Sequence, residues 1–76
     1  MPDLTPTVDT VGDRVVAQFP SGAFVTVSAS GEIELLGGYQ HPSRAEGLAL
    51  AWVLIKAGDR SRASVVLKRT AQGWVW

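Results

Sequence analysis

The chain lacks cysteine altogether and has a single histidine among its 76 residues. Without cysteine it forms neither disulfides nor thiolate zinc sites, and one histidine does not supply the several imidazoles of a histidine-built metal site. We therefore expect neither a metal site nor a bound cofactor.

A long apolar run is missing as well. The longest apolar stretch, residues 47–55, is about half of the roughly 20 residues that a membrane helix needs. The start, Met1-Pro2-Asp3, has no basic segment ahead of an apolar one, so no secretory signal is predicted. Both absences favour a cytoplasmic protein that does not contact a membrane.

The chain has no excess of charge of either sign, because seven Lys and Arg residues balance seven Asp and Glu residues. It therefore lacks the overall basic field of many nucleic-acid binders. The charges are nevertheless segregated. The first 34 residues hold five acidic side chains against one arginine, a net charge of −4, and residues 56–69 hold five basic side chains against one aspartate, a net of +4. This polarity either orients the protein on a partner or reflects ends that are paired or solvated.

The length of 76 residues predicts a single domain over residues 1–76. A domain of this size buries only about 60% of its unfolded surface, so good packing, self-association or a partner is expected to stabilise it. Residues 1–7, with Pro2 and Pro6, are predicted to be a flexible arm that leads into an edge strand near residues 8–11.

Three short segments of alternating polarity predict strands at residues 14–19, 23–29 and 32–36. The turns between them, at residues 20–22 and 30–31, contain glycine, which is typical of an antiparallel meander. The side chains predicted to share one face are Val15, Ala17 and Phe19 on the first of these strands, Val25 and Val27 on the second, and Ile33 and Leu35 on the third.

A capping box begins the one predicted helix, because Ser43 is followed three residues later by Glu46. This helix is predicted to reach Ala57, with Gly58 as its left-handed cap. After this helix the apolar residues recur at every second position, which predicts a strand at residues 63–69 and a short returning strand at 74–76. The predicted fold class is α+β, with the order β-β-β-α-β-β and one helix packed on one face of an antiparallel sheet.

The predicted helix is apolar on more than one side. Steps of three and four join Ala45, Leu48, Ala49, Trp52 and Ile55, and this stripe is assigned to the sheet. Leu50 and Leu54 lie off the stripe and are predicted to form a second apolar face that contacts a partner or another copy. The alternative is that the terminal strands and the N-terminal arm cover that face.

Two further groups are candidates for partner contacts. Trp74 and Trp76 lie two residues apart and would share one side of the last strand, as binding residues or as a lid on the core. The basic residues Arg60, Arg62, Lys68 and Arg69 beside these tryptophans also match the pairing that nucleic-acid binders use.

No catalytic residue is predicted, so the chain is not expected to be an enzyme. His41 has neither a recognisable nucleophile motif nor a cysteine to activate. Gly37-Gly38 lacks the spacing of a phosphate loop. Glu32 and Glu34 alternate with apolar residues, as an outward polar face should.

The layout resembles that of small phage-encoded inhibitors, including certain anti-CRISPR proteins. The likeness comprises a meander over residues 14–36, the Gly37-Gly38 break, one alanine-rich helix over 43–57 and a closing hairpin over 63–76. It is architectural and transfers no functional residue. The Phe19-Pro20 strand end before a helix is also similar to small antitoxins of the HicB type, although the intervening segment is longer here.

We therefore predict a non-enzymatic protein-binding module. Resemblance to phage inhibitors implies a partner on bacterial machinery, such as a CRISPR effector, and a homodimer stays open. A nucleic-acid accessory protein and a self-assembling structural protein are the alternatives. The predicted partner-binding residues are Leu50, Leu54, Trp74, Trp76, Arg60, Arg62, Lys68 and Arg69.

Overall fold

Four strands are followed by two helices. A computed structural model describes residues 4–36 and 42–73, and its elements are β1 (Thr7–Val11), β2 (Arg14–Gln18), β3 (Phe24–Val27), β4 (Ile33–Leu36), α1 (Arg44–Lys56) and α2 (Arg60–Ala71). Each strand pairs with the next in an antiparallel meander, so the sheet order is β1-β2-β3-β4. The predicted α+β class, the meander and the edge strand near residues 8–11 are confirmed.

The strand predicted at residues 63–69 is wrong, because these residues belong to α2. The run Val65-Val66-Leu67 has strand propensity, but the buried side chains are Ala63, Val66 and Thr70, whose steps of three and four are helical. Residues 4–36 and 42–73 thus form two helices, where one was predicted, and four strands. Trp74 and Trp76, with their predicted strand, lie outside the described residues, as do Gly37, Gly38 and His41.

The register of the sheet places the predicted apolar faces on one side. Val15 is opposite Val27, and Ala17 is opposite Val25; all four side chains are at most 5% exposed. On the other side Glu34 is exposed and pairs with Arg14 at 3.4 Å. Since these two residues lie on β4 and β2, the ion pair spans strand β3.

Local hydrogen bonds fix both ends of α1. Ser43 accepts a hydrogen bond from the Glu46 N–H at 3.2 Å, and the Glu46 carboxylate accepts one from the Ser43 N–H at 2.9 Å. The predicted capping box is therefore confirmed. At the other end Gly58, with φ of +84°, donates to the Ile55 carbonyl at 3.0 Å, and Asp59 donates to Leu54 at 2.8 Å, which is the Schellman arrangement.

The second helix begins at once, because Asp59 also caps α2 by accepting a hydrogen bond from the Arg62 N–H at 3.2 Å. A connection of only residues 57–59 makes α1 and α2 antiparallel neighbours. The helical hairpin packs on the inner face of the sheet and completes one core, whose largest fully buried side chains are Phe19, Leu50, Leu54, Val25, Val27 and Val66.

Candidate binding surface

The two faces of α1 are reversed relative to the sequence prediction. Leu50 and Leu54 are 0% and 2% exposed, so both belong to the core and a partner that binds the folded domain has no access to them. Leu48 and Trp52, which were assigned to the sheet, are instead 49% and 59% exposed. Because α1 is apolar on every side, its periodicity alone does not distinguish the two faces.

Glu46 lies on the buried face of α1. This residue lies on the stripe of Leu50 and Leu54, and its carboxylate accepts a hydrogen bond of 2.6 Å from the hydroxyl of Ser21 in the β2–β3 turn. Burial alone would raise the pKa of Glu46. The hydrogen bonds from Ser21 and from the backbone and hydroxyl of Ser43 outweigh that effect, so its pKa lies below the ordinary value.

The exposed face of α1 contributes to an apolar groove of about 450 Å³. Leu67 of α2 and Leu4 of the N-terminal segment complete it, and every lining residue is apolar. Leu67 is 40% exposed and Ile55 is 36% exposed, so the groove opens to solvent between the helices. The lining residues of α1 are Leu48, Trp52, Ile55 and three alanines.

Three cations lie on the same helix faces as residues that line this groove. The ammonium of Lys56 stands 5.7 Å from the centre of the Trp52 ring, a cation–π distance. Arg44 precedes Leu48 by four residues and Arg60 precedes Leu67 by seven, so each shares a helix face with its leucine. All three cations are exposed.

Neither helix exposes an acidic side chain. Glu46 is the sole acidic residue of α1 and is 5% exposed, and the sequence of α2 contains none. We call the groove and its three cations, Arg44, Lys56 and Arg60, the basic groove.

The four basic residues predicted to bind a partner are not brought together. Arg60 belongs to the basic groove. Lys68 and Arg69 line a separate depression with Gly31 and Gln72 on another side of α2. The set therefore does not form one continuous basic track.

Arg62, the remaining member of the set, is a structural residue. Its guanidinium donates to the carboxylate of Asp59, to the carbonyl of Val27 at 3.2 Å and to the carbonyl of Asp13. The side chain is 17% exposed. These three hydrogen bonds and its burial hold the guanidinium within the fold.

The sequence contains a signal that would have identified the exposed stripe. Arg44, Leu48, Trp52 and Lys56 follow one another at steps of four, so a charged residue lies at each end of the stripe. A stripe packed on a sheet would bury those charges at high cost, whereas a solvent-facing stripe leaves them hydrated.

The described residues contain no cluster of three or more His, Cys, Asp or Glu side chains that could hold a metal ion. Among residues 4–36 and 42–73, no helix has the length and apolarity needed to cross a membrane. No family model matches the chain, and neither a curated protein nor a solved structure matches it.

Proposed function

We propose that this chain is a non-enzymatic protein-binding module and that its partner docks on the basic groove. The observation that carries the proposal is the grouping of Leu48, Trp52, Ile55 and Leu67, each at least 36% exposed, around one groove. Contiguous apolar surface with a polar rim is typical of protein interaction sites. Tryptophan is also the residue type most enriched among binding hot spots.

The proposed partner presents an apolar surface that carries acidic groups. Three cations and no exposed acid from either helix favour an acidic counterpart, since complementary charge guides association and disfavours wrong partners. Two copies that met groove to groove would place like charges against each other. This repulsion makes the homodimer the weaker candidate for this face.

The biological role that we propose is inhibition, in which the domain occupies a surface on a bacterial protein complex. This part rests on the resemblance to phage-encoded inhibitors. The meander and α1 keep that layout, while α2 departs from it because it replaces part of the expected closing hairpin. The proposal of protein binding stands independently on the groove.

The first experiment compares capture from a bacterial lysate by the tagged full chain and two variants, with and without nuclease. The groove variant carries Leu48→Ser and Trp52→Ser. The matched control is Val11→Ser, because Val11 is 63% exposed but lies on β1, away from the groove. We expect a stoichiometric protein that survives nuclease and is retained by the control but lost by the groove variant.

Three results would contradict the proposal. Equal capture by the groove variant and the control would place the partner elsewhere. Recovery of nucleic acid alone would favour the accessory-protein alternative, and binding should then weaken steeply with salt. A wild-type dimer that becomes a monomer in the groove variant, with native circular dichroism, would identify a second copy as the occupant.

A further inference from the structure

We infer that the occupant of the basic groove is an amphipathic α-helix of the partner, with acidic residues at both ends of its apolar stripe. This inference rests on the proposed function and specifies the chemistry of its partner. It follows from the shape of the groove, from the backbone of its walls and from the placement of its charges.

The walls of the groove favour a helix over an extended peptide. The lining residues belong to α1, α2 and Leu4, and within a helix the backbone N–H and C=O groups are already paired. An extended peptide buried here would leave its own backbone groups without partners. A helix satisfies its backbone internally and needs only an apolar stripe.

The shape of the groove also suits the packing of a third helix. The groove lies where α1 meets Leu67 of α2, and a further helix packs into a groove between helices through residues at steps of three, four and seven. The anchors Leu48, Trp52 and Ile55 have the same spacing on α1. Their counterparts on the occupant would be large apolar side chains over two to three turns.

The positions of the three cations set the length of the occupant and the placement of its acidic residues. Arg44 begins α1 at one end of the groove, and Lys56 and Arg60 flank the connection of residues 57–59 at the other. From Arg44 to Lys56 the helix rises about 18 Å at roughly 1.5 Å per residue. A partner helix of three to four turns with carboxylates near both ends would reach all three cations.

The helices of a second copy do not meet this description. The one acidic residue of α1 is buried, and α2 has none. The aliphatic lining also argues against nucleic acid, because Trp52 is the sole aromatic residue among the described lining residues and bases bind such grooves by stacking.

The test uses two labelled designed helical peptides of about 16 residues, read by fluorescence anisotropy with the full chain. Both carry the same leucine stripe. One has glutamates at both ends, and its twin has lysines at those positions. We expect the glutamate peptide to bind at least about tenfold more tightly, and its affinity to fall as salt is raised.

Charge reversal supplies the matched variants. The triple change Arg44→Glu, Lys56→Glu and Arg60→Glu should invert the preference between the two peptides. Lys68→Glu should leave it unchanged, because Lys68 is exposed on α2 but lines the other depression. Equal binding of the two peptides, or a preference that survives the triple reversal in a variant with native circular dichroism, would overturn the inference.

Two further measurements separate this inference from the proposed function. An excess of the glutamate peptide should displace the protein captured from lysate. If capture depends on Leu48 and Trp52 but the peptide does not displace it, protein binding stands and the acidic helix is wrong. If vesicles of three parts phosphatidylcholine to one part phosphatidylglycerol bind the wild type but not Trp52→Ser, while the peptide does not bind, an anionic lipid surface replaces the helix.

Discussion

At the scale of single residues, Glu46 joins the first turn of α1 to the β2–β3 turn. Its carboxylate accepts hydrogen bonds from Ser21 and from the Ser43 backbone while the residue is only 5% exposed. Hydrogen bonds to a buried charged group contribute about 1.5–3 kcal/mol each. One side chain thus caps α1 and also ties its buried face to the β2–β3 turn.

The pKa of Glu46, lowered because the hydrogen bonds from Ser21 and Ser43 outweigh its burial, predicts how stability depends on pH. Its folded-state pKa lies below the unfolded value of about 4.3. The carboxylate therefore stabilises the fold above that pH, and the contribution is lost as pH falls through the folded pKa. We expect Glu46→Gln to lower the free energy of unfolding by roughly 1–3 kcal/mol at neutral pH, and the difference from wild type to shrink at acidic pH.

Urea unfolding at neutral pH and near pH 3 would measure this difference. The control is Glu34→Gln, because Glu34 is exposed and its ion pair with Arg14 lies at the surface. Such a pair contributes at most about 1 kcal/mol. A deficit in Glu46→Gln that stays constant from neutral to acidic pH would show that its charge is not what stabilises the fold.

At the scale of elements, the two leucine faces of α1 should respond differently to truncation. Leu54→Ala should lower the free energy of unfolding by about 2–5 kcal/mol, because it opens a cavity in the core. Leu48→Ala should change it by no more than about 0.5 kcal/mol, since Leu48 is 49% exposed. Thermal melts followed by circular dichroism would compare them, and equal losses would contradict the assignment of faces.

The helical hairpin is the element that the sequence pattern does not predict. Asp59 takes part in the end of one helix and the start of the next, since its N–H donates to the Leu54 carbonyl and its carboxylate accepts from the Arg62 N–H. The short connection commits α2 to lie beside α1. Its exposed Leu67 then becomes part of the basic groove, which a strand at residues 63–69 would not have formed.

At the scale of the whole molecule, Arg62 ties the helical layer to the sheet. It lies in the first turn of α2 and reaches carbonyls at the end of β3 and in the β1–β2 turn. We expect Arg62→Ala to lower the free energy of unfolding by about 2–3 kcal/mol, because it removes charged donors from these acceptors. Urea unfolding and thermal melts would measure the loss.

Two further variants make the test of Arg62 specific. Arg62→Lys should restore only part of the stability, because an ammonium lacks the planar fork that reaches several acceptors at once. Arg60→Ala, an exposed change on the same helix, should stay within about 0.5 kcal/mol of wild type. Full rescue by lysine would mean that positive charge alone suffices.

The segregated charges of the sequence become two layers in the fold. The exposed acids Asp9 and Glu34 lie on the sheet and Glu32 lies in the β3–β4 turn, whereas the helices carry the exposed cations of the basic groove. A molecule with this polarity presents one preferred face to a charged partner. The predicted asymmetry is thus present in three dimensions, and its steering role is part of the proposed function.

Local signals in the sequence determined the strands, the turns and the start of α1. Alternation over a few residues indicates which side chains face inward, as Val15 and Ala17 do. The pair of Ser43 and Glu46 marks a helix start within a single turn. Each of these signals acts over two to four residues, and at these positions the surrounding fold agrees with it. The alternation at residues 63–69 is the exception, because those residues belong to α2.

Only the tertiary structure decided the features that depend on distant neighbours. The contact between Glu46 on the buried stripe of α1 and Ser21 joins residues 25 positions apart. That Arg62 is structural depends on Val27, 35 residues away. Of the predicted site residues that the structure describes, Arg60 alone joins the basic groove. An apolar periodicity defines a face, but packing against the sheet selects which face remains exposed.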